Sequence, residues 1–197
     1  SLPFKNLGAD LVVQRPERRT MGSAQAAESM RGIRLPFSNQ LLSSEDLRKL
    51  ASIEGVGAMA SSLLLWEFDR GGFRTIMGVD LSQPSLGPVK VREWLKEGRF
   101  PQQEGELVLE KHYAKFHHTK RGDKMSIGGR DFIVVGLLEI KEGAQIASAN
   151  IYLPLTDAQK LLRKEFKGVN VVYLRLKSPS FLSRAKTRID RELSGVS

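Results

Sequence analysis

The chain contains no cysteine among its 197 residues. A disulfide framework and thiolate metal sites are therefore excluded, while the compartment stays open because exported proteins can also lack cysteine. Long apolar runs are absent too, since runs such as residues 63–66 and 133–135 are far shorter than the roughly 20 residues that cross a bilayer. Aromatic residues make up only 7%, which disfavours a surface that stacks on single-stranded nucleic acid.

What the chain does contain is an ordinary globular composition with a basic balance. Hydrophobic residues make up 41% and charged residues 27%, which predicts a buried core in one large domain or two small lobes. Lys and Arg number 31 against 22 Asp and Glu, so the net charge is +9. The chain begins at Ser1 and no export signal follows, so we expect a processed product or a piece of a longer protein.

The positive charge lies mainly at the two ends of the chain. Residues 1–38 carry a net charge of +3, residues 39–80 carry −2, residues 81–156 carry +2 and residues 157–197 carry +6. Within the last segment, one predicted helix contains Arg184, Lys186, Arg188 and Arg191. The default interpretation of such a run is a solvated helix face.

The first 80 residues alternate between β and α signals. Residues 8–14 predict a strand, and residues 15–40 predict a loop because neither a period of 2 nor one of 3.6 runs through them. Ser43 or Ser44 is expected to cap a helix that Gly55 ends. Residues 57–68 and 73–79 then predict a β-hairpin with its turn at Gly71 and Gly72.

The middle of the chain predicts mostly β structure, and the end predicts helix, strand and helix. A short amphipathic turn containing Val91 and Trp94 closes at Gly98, and strands are expected at residues 107–109, 124–127 and 131–138. Thr156 and Gln159 form a capping-box pattern that predicts a helix from Asp157. Residues 169–176 predict a strand, and a last helix capped from Ser178 carries an apolar stripe of Phe181, Ala185, Ile189 and Leu193.

The patterns of common catalytic and cofactor sites are missing. No glycine-rich loop with a following Lys precedes a helix, so no ATP site is expected. His112, His117 and His118 have no strong metal-ligand spacing and are interpreted as solvated side chains at a helix end. No nucleophile elbow is present, so we expect no catalytic, cofactor or metal residues and rank a hydrolase low.

The order of several short segments resembles a known family. The resemblance covers about residues 7–193, apart from 15–40, and its family is the MacB-like core domain of FtsX-type ABC transporter permeases. It is carried by Gly8-Ala9-Asp10-Leu11, the capped helix ending at Gly55-Val56, Met77-Gly78-Val79-Asp80, Glu97-Gly98-Arg99-Phe100, Gly105-Glu106-Leu107-Val108-Leu109, Arg121-Gly122-Asp123-Lys124, Phe132-Ile133-Val134-Val135-Gly136 and Asn150-Ile151-Tyr152-Leu153-Pro154.

The resemblance implies an α+β fold with two lobes. A mixed α/β, porter-like lobe would be built from residues 1–80 plus 157–197, and a mostly β lobe from residues 81–156 would be inserted in it. It further implies a non-catalytic domain on the extracytoplasmic side of a cytoplasmic-membrane permease, between its first two transmembrane helices. The expected partners are a cytoplasmic ATPase acting through those helices, a second permease and, in some relatives, an adaptor, a lipoprotein or a cell-wall hydrolase.

The resemblance also suggests what the positive charge at the two ends of the chain binds. It places both chain ends beside the bilayer, so anionic lipid head groups become the expected partner and nucleic acid does not. We therefore predict that Arg184, Lys186, Arg188 and Arg191 lie at the membrane-proximal end of the α/β lobe. The alternative is a free-standing extracytoplasmic binding protein for an anionic ligand, with a basic pocket in one lobe.

Overall fold

A computed structural model describes residues 3–15, 32–36, 41–70, 72–141, 148–163, 165 and 167–193. The strands within these ranges are β1 (Leu11–Val13), β2 (Ile33–Arg34), β3 (Val56–Asp69), β4 (Gly72–Val79), β5 (Leu95–Gly98), β6 (Glu106–Glu110), β7 (Lys124–Ile127), β8 (Arg130–Leu138), β9 (Ile151–Pro154) and β10 (Val171–Leu176). The α-helices are α1 (Ser44–Ala51), α2 (Lys111–Phe116), α3 (Leu155–Leu162) and α4 (Leu182–Glu192). Shorter 3-10 helices occupy Pro3–Leu7, Gly87–Trp94 and Pro179–Phe181.

The described strands form one mixed sheet in the order β1-β10-β3-β4-β9-β6-β8-β5, with β2 paired to β3 and β7 paired to β8. The predicted β3–β4 hairpin is confirmed, with Ser62 opposite Val79 and Asp69 opposite Gly72. Strands from the two ends of the chain meet strands from its middle at the parallel β4–β9 pair, where Ile76 lies opposite Ile151. The sheet is therefore continuous across the predicted boundary between the lobes.

The α+β class is confirmed, and the hydrophobic core extends over both predicted segments. One core cluster joins Leu63 of β3 to Leu107 of β6, and a second joins Ala60 of β3 to Tyr152 of β9. A third cluster, under α1 and α4, contains only residues from the two chain ends. The assignment of residues 1–80 plus 157–197 and of residues 81–156 to separate lobes stays a prediction.

The loop predicted for residues 15–40 is wrong at Ile33 and Arg34. These two residues form β2, in which Ile33 pairs with Glu67 and Arg34 pairs with Trp66 of β3. Ile33 is fully buried in the core cluster beneath β3. A two-residue strand is too short to show a period, so its position depends on the partner strand; residues 16–31 and 37–40 lie outside the described residues.

Two of the three predicted helix caps have different outcomes. Ser43 caps α1 as expected, since its Oγ accepts from the Asp46 N–H at 3.1 Å while Asp46 Oδ2 accepts from the Ser43 N–H at 2.8 Å. The Thr156–Gln159 capping box is wrong, because α3 begins at Leu155 without a side-chain cap. Gln159 instead donates from Nε2 to the Gly168 carbonyl at 3.1 Å, so tertiary contact overrides the local pattern.

Two other elements differ from the sequence prediction. The amphipathic turn predicted around Val91 and Trp94 is the 3-10 helix, and residues 95–98 beyond it are β5, which pairs with β8. The first strand is shorter than predicted, because Gly8 and Asp10 precede β1 and Asp10 Oδ2 instead accepts from the Leu176 N–H at 2.7 Å.

Candidate functional site

The last helix, α4, carries the basic residues that the sequence singles out. Ser178 Oγ accepts from the Ser180 N–H at 3.3 Å and caps the 3-10 turn that leads into α4. The predicted apolar stripe is confirmed, since Ala185, Ile189 and Leu193 are buried in the core cluster beneath α4. Burial of this stripe fixes the rotation of the helix and leaves its polar side in solvent.

The first strand lies next to this last helix. Val13 of β1 and Ile189 of α4 belong to the same core cluster. Residues of both elements line a shallow groove of about 230 Å³, and these are Leu11, Val12, Val13, Lys186, Ile189 and Asp190. The first strand and the last helix are therefore packed together.

The four basic residues of α4 are all exposed but do not share one side of the helix. Because successive helical residues are about 100° apart, Arg184, Arg188 and Arg191 point to one side and Lys186 to the opposite side. Lys186 lines the groove beside β1, whereas Arg184 and Arg188 line a separate cleft. The basic site consists of three arginines and one lysine set apart from them.

The cleft beside Arg184 and Arg188 has a volume of about 430 Å³. It lies between α4 and the turn that joins α1 to β3, and its lining also includes Ser52, Glu54, Ser183 and Thr187. Lys177 fixes this turn against the start of α4, because its N–H donates to the Gly55 carbonyl at 2.7 Å. Two guanidinium groups beside hydroxyl groups can bind an oxyanion.

Acidic neighbours moderate the charge of the arginines. Arg184 Nη1 lies 3.8 Å from Glu54 Oε1, and its guanidinium carbon lies 4.9 Å from the centroid of the Phe181 ring. Arg188 Nη2 lies 3.1 Å from Glu192 Oε1. These ion pairs are exposed, so solvent screens them and both guanidinium groups remain accessible to an anion.

Two of the three histidines contact neighbouring side chains. His112 Nδ1 lies 2.6 Å from Glu110 Oε1, while the His117 ring packs on Tyr113 with centroids 4.3 Å apart. Throughout the described ranges, no group of three or more acidic, His or Cys side chains is suitably placed to hold a metal ion. In that same part of the chain, no helix is both long and apolar enough to span a bilayer.

Sequence reasoning missed one exposed feature, which is the side chain of Phe116 at the end of α2. It is 79% exposed, and lysines precede and follow it in the sequence of α2 and the next turn. The closely spaced Lys111, Lys115, Lys120 and Lys124 were visible in the sequence and could have drawn attention to this segment. The exposure of the ring itself depends on which side of α2 packs on the sheet.

Comparison with known proteins gives one family and a common fold. A family model described as the MacB-like periplasmic core domain matches residues 1–192. The extracellular domain of the noncanonic ABC-type transporter YknZ from Gram-positive bacteria is similar, with a TM-score of 0.60 and 16% identity over 95% of this chain and 97% of that one. The periplasmic region of MacB from Actinobacillus actinomycetemcomitans has a TM-score of 0.59 and 12% identity over 98% and 90%. Comparison with curated protein sequences gave no significant match.

Proposed function

This chain belongs to the family of MacB-like periplasmic core domains, and we propose on that basis that it is the non-catalytic extracytoplasmic domain of an ABC transporter permease. The observation that carries the proposal is the family match, which extends over residues 1–192 rather than over one motif. The similar folds of the YknZ and MacB domains, each over nearly the whole chain, are consistent with it.

The proposed work of the domain is mechanical. A cytoplasmic ATPase subunit or domain would move the flanking transmembrane helices, and these would move the ends of this domain. The proposal is supported by the packing of β1 against α4 and by the pairing of β1 with β10, which pairs in turn with β3. Since hydrogen-bonded strands resist relative displacement, a movement of the ends would displace the whole sheet.

The proposed partners follow from this role. The permease would act as a dimer, and the domain would serve export, lipoprotein extraction or envelope signalling by contacting an adaptor, a lipoprotein or a cell-wall hydrolase. We further propose that Arg184, Arg188 and Arg191, with Lys186 on the other side of α4, face anionic lipid head groups. Support comes from their exposure and from the position of α4 beside the first strand.

The complete gene product tests the proposal. It should contain apolar helices of about 20 residues on both sides of this domain, sediment with the membrane fraction and copurify in detergent with an ATP-hydrolysing subunit or domain. A variant of that ATPase that binds but cannot hydrolyse ATP should abolish transport or signalling while leaving the complex assembled. A gene product that ends just after residue 197 and stays in the aqueous phase would contradict it.

A second candidate function is a free-standing binding protein for an anionic ligand. The cleft lined by Arg184, Arg188, Ser183 and Thr187 favours it, whereas Glu54 in the same lining disfavours it. Calorimetric titration of the 197-residue chain with inorganic phosphate distinguishes the two. Saturable binding that Arg188→Gln abolishes would favour the binding protein, and an absence of heat would favour the permease domain.

A further inference from the structure

The short helix α2 exposes the aromatic side chain of Phe116 to solvent. Ala114 anchors the helix, because it is buried in the same core cluster as Leu107 of β6 and Phe132 of β8. The side chain of Phe116 projects away from this anchor and, at 79%, is the most exposed of the large apolar side chains in the described ranges. A single exposed apolar side chain is normal on a monomer, so this ring becomes informative only together with the charges and contacts around it.

One neighbouring ring contacts the side chain of Phe116. The ring of His117 lies edge-on to it, with centroids 5.1 Å apart, and packs on Tyr113 with centroids 4.3 Å apart. Tyr113 is fixed in turn, because its Oη accepts from Arg74 Nη1 at 3.2 Å. This edge contact restricts the Phe116 ring on one side and leaves the rest of it open to a partner.

The backbone beside Phe116 is strained. α2 ends in a Schellman motif, in which the His118 N–H donates to the Lys115 carbonyl at 3.2 Å and the Thr119 N–H donates to the Ala114 carbonyl at 2.9 Å. His118 occupies the left-handed position of this motif with a φ of 54°, where glycine is usual. Of the non-glycine residues that the structure describes, it is the single one with a positive φ. Strain of this kind is concentrated at functional surfaces.

The surface around the ring is positively charged. Between residues 110 and 124 the chain carries two acidic residues and five basic ones, which are Lys111, Lys115, Lys120, Arg121 and Lys124. Both carboxylates are occupied locally, since Glu110 accepts from the Tyr113 N–H and Asp123 accepts from the Lys120 N–H, each at 2.8 Å. Lys111 Nζ lies 3.7 Å from Glu139 Oε2, and Arg121 Nε lies 3.7 Å from Glu97 Oε1, so these two charges are already paired. Lys115, Lys120 and Lys124 form no ion pair with any described residue, so their charge is available to a partner.

We propose that Lys115, Phe116, Lys120 and Lys124, here called the α2 surface, dock a protein partner that presents carboxylates around an apolar pocket. Phe116 would fill the pocket and the lysines would pair with the carboxylates, an arrangement of apolar anchor and charged rim that is common in protein interfaces. The charge alone would suit any polyanion, but a projecting phenylalanine ring buries most of its surface in an apolar pocket, which a protein partner offers. The inference rests on the proposed function in that such a domain has a protein partner to recognise.

The α2 surface is separate from the basic helix α4. α2 follows β6, whereas α4 packs on β1 and β10, and β3, β4 and β9 lie between β10 and β6 in the sheet. At about 4.8 Å per strand, the two elements are separated by roughly 20 Å across the sheet. A partner bound at α2 would therefore leave the arginines of α4 uncovered.

Site-specific photocrosslinking in the complete gene product, in cells of its own organism, tests the proposal. Benzoylphenylalanine replaces Phe116 or, as the matched control, Phe68, which is a half-exposed phenylalanine on the β3–β4 hairpin. We expect position 116 to give an adduct with a protein whose crosslinked peptide is acidic, and position 68 to give none with it. The substitutions Lys115→Glu and Lys120→Glu together should lower the adduct yield at least about tenfold, and Glu→Lys changes in the crosslinked peptide should restore it.

Other results would overturn the inference. These are no adduct at position 116, an adduct with lipid or with a second copy of this chain, an equal adduct at position 68, or a yield that the lysine substitutions leave unchanged. Copurification of the ATPase is measured in the same cells. If the ATPase is retained without a crosslink, the α2 surface alone is wrong, whereas loss of the ATPase from the unaltered protein contradicts the proposed function.

Discussion

Gly55 lies directly against the ring of Phe181, where the turn after α1 meets the start of α4. A Cβ atom on Gly55 would lie 2.3 Å from Phe181 Cγ, and the residue has a φ of +92°. This contact joins the two chain-end elements that form the cleft around Arg184 and Arg188. Gly55 is therefore needed for a close approach as well as for its backbone conformation.

Gly55→Ala should destabilise the protein by about 3 kcal/mol, because the new methyl group both strains the left-handed backbone and collides with Phe181. Urea unfolding at neutral pH measures the effect. Gly105→Ala is the matched control, since Gly105 also has a positive φ of +85° but no atom lies within 4 Å of its added Cβ. The control should lose only about 1 kcal/mol, and an equal loss in the two variants would show that the Phe181 contact has no energetic role.

The ion pair of Arg99 with Glu106 predicts an acid-sensitive contribution to stability. Arg99 binds Glu106 through both guanidinium nitrogens, one at 2.8 Å, and the Gln102 N–H donates to the same carboxylate at 2.9 Å. The Arg99 hydrogen bond, followed by backbone donors, lowers the pKa of Glu106 from 4.5 to about 2, although burial opposes the shift. The stabilisation is therefore present above pH 4.5 and is lost as the pH falls towards 2.

Glu106→Gln should lower the free energy of unfolding by about 2 kcal/mol at pH 7, and the difference from the unaltered protein should shrink between pH 5 and pH 3. Denaturant titrations across this range measure it. Glu45→Gln, at an exposed position of α1, is the control and should change stability by less than about 0.5 kcal/mol. If the difference in free energy of unfolding between Glu106→Gln and the unaltered protein stays constant with pH, the Arg99–Glu106 pair is not the source of the acid sensitivity.

Asp157 predicts a pH effect of the opposite sign. Its carboxyl group is fully buried, Oδ2 accepts from the Gly105 N–H at 2.9 Å, and Oδ1 has no hydrogen-bond partner in the described structure. Burial raises the pKa of Asp157 above 3.8 and Glu104 adds to the rise, while the Gly105 hydrogen bond, Arg130 and Lys160 oppose it. The folded state therefore keeps the Asp157 proton to a higher pH than the unfolded state does. As a result, the Asp157 carboxyl lowers the free energy of unfolding as the pH rises from the unfolded pKa to the raised folded pKa.

Asp157→Asn removes this cost, since an amide does not titrate. The free energy of unfolding of the variant minus that of the unaltered protein should therefore increase as the pH is raised from 4 to 7. Paired unfolding curves at several pH values measure the difference, in which the other titrating groups cancel. A difference that falls over this range would mean that ionised Asp157 stabilises the fold through Arg130, whose Nη2 lies 3.6 Å away.

Elements with strong local signals could be predicted from the sequence, and those fixed by distant partners could not. The Ser43 cap predicted α1, and the fourfold spacing of Ala185, Ile189 and Leu193 predicted α4, because each signal lies within one element. β2 depends on Glu67 and Trp66 of another strand. The parallel β4–β9 pair joins residues that are far apart in sequence, so the order of the strands in the sheet could not be predicted from local sequence patterns.

The candidate site divides in the same way. The basic residues of α4 and their solvent exposure followed from composition and helical spacing. The cleft did not, because Ser52 and Glu54 reach Arg184 through tertiary packing of the α1–β3 turn. The exposure of Phe116 could not be predicted either, because the sequence does not show that Ala114 faces the core.

His118→Gly should stabilise the protein by up to about 1 kcal/mol, because glycine adopts the left-handed conformation at the end of α2 without the steric cost of a Cβ atom. Thermal unfolding measures the shift. His117→Gly is the neighbouring control and should be neutral or destabilising, since His117 has a φ of −93° and its ring packs on Tyr113. If His118→Gly destabilises the protein instead, the His118 side chain contributes contacts that outweigh the strain of its backbone.

The charge of α4 predicts a local effect on membrane binding. Replacing Arg184, Arg188 and Arg191 by Gln should weaken binding of the 197-residue chain to phosphatidylglycerol vesicles about ten- to a hundredfold, since each basic residue near an anionic surface contributes about 1 kcal/mol. Arg184 and Arg188 are already paired with Glu54 and Glu192, so we expect a loss of affinity closer to tenfold than to a hundredfold. Sedimentation with vesicles at low salt measures the affinity, and phosphatidylcholine vesicles give the uncharged reference.

The matched control replaces Lys115, Lys120 and Lys124 by Gln and removes the same amount of charge from the α2 surface. If α4 faces the lipid, this control should bind phosphatidylglycerol almost as the unaltered chain does, because these lysines lie across the sheet from α4. An equal loss in both variants would mean that the net charge of +9 acts without a preferred orientation. A loss confined to the control would assign the lipid to α2, which contradicts both the orientation proposed for α4 and the protein partner proposed for α2.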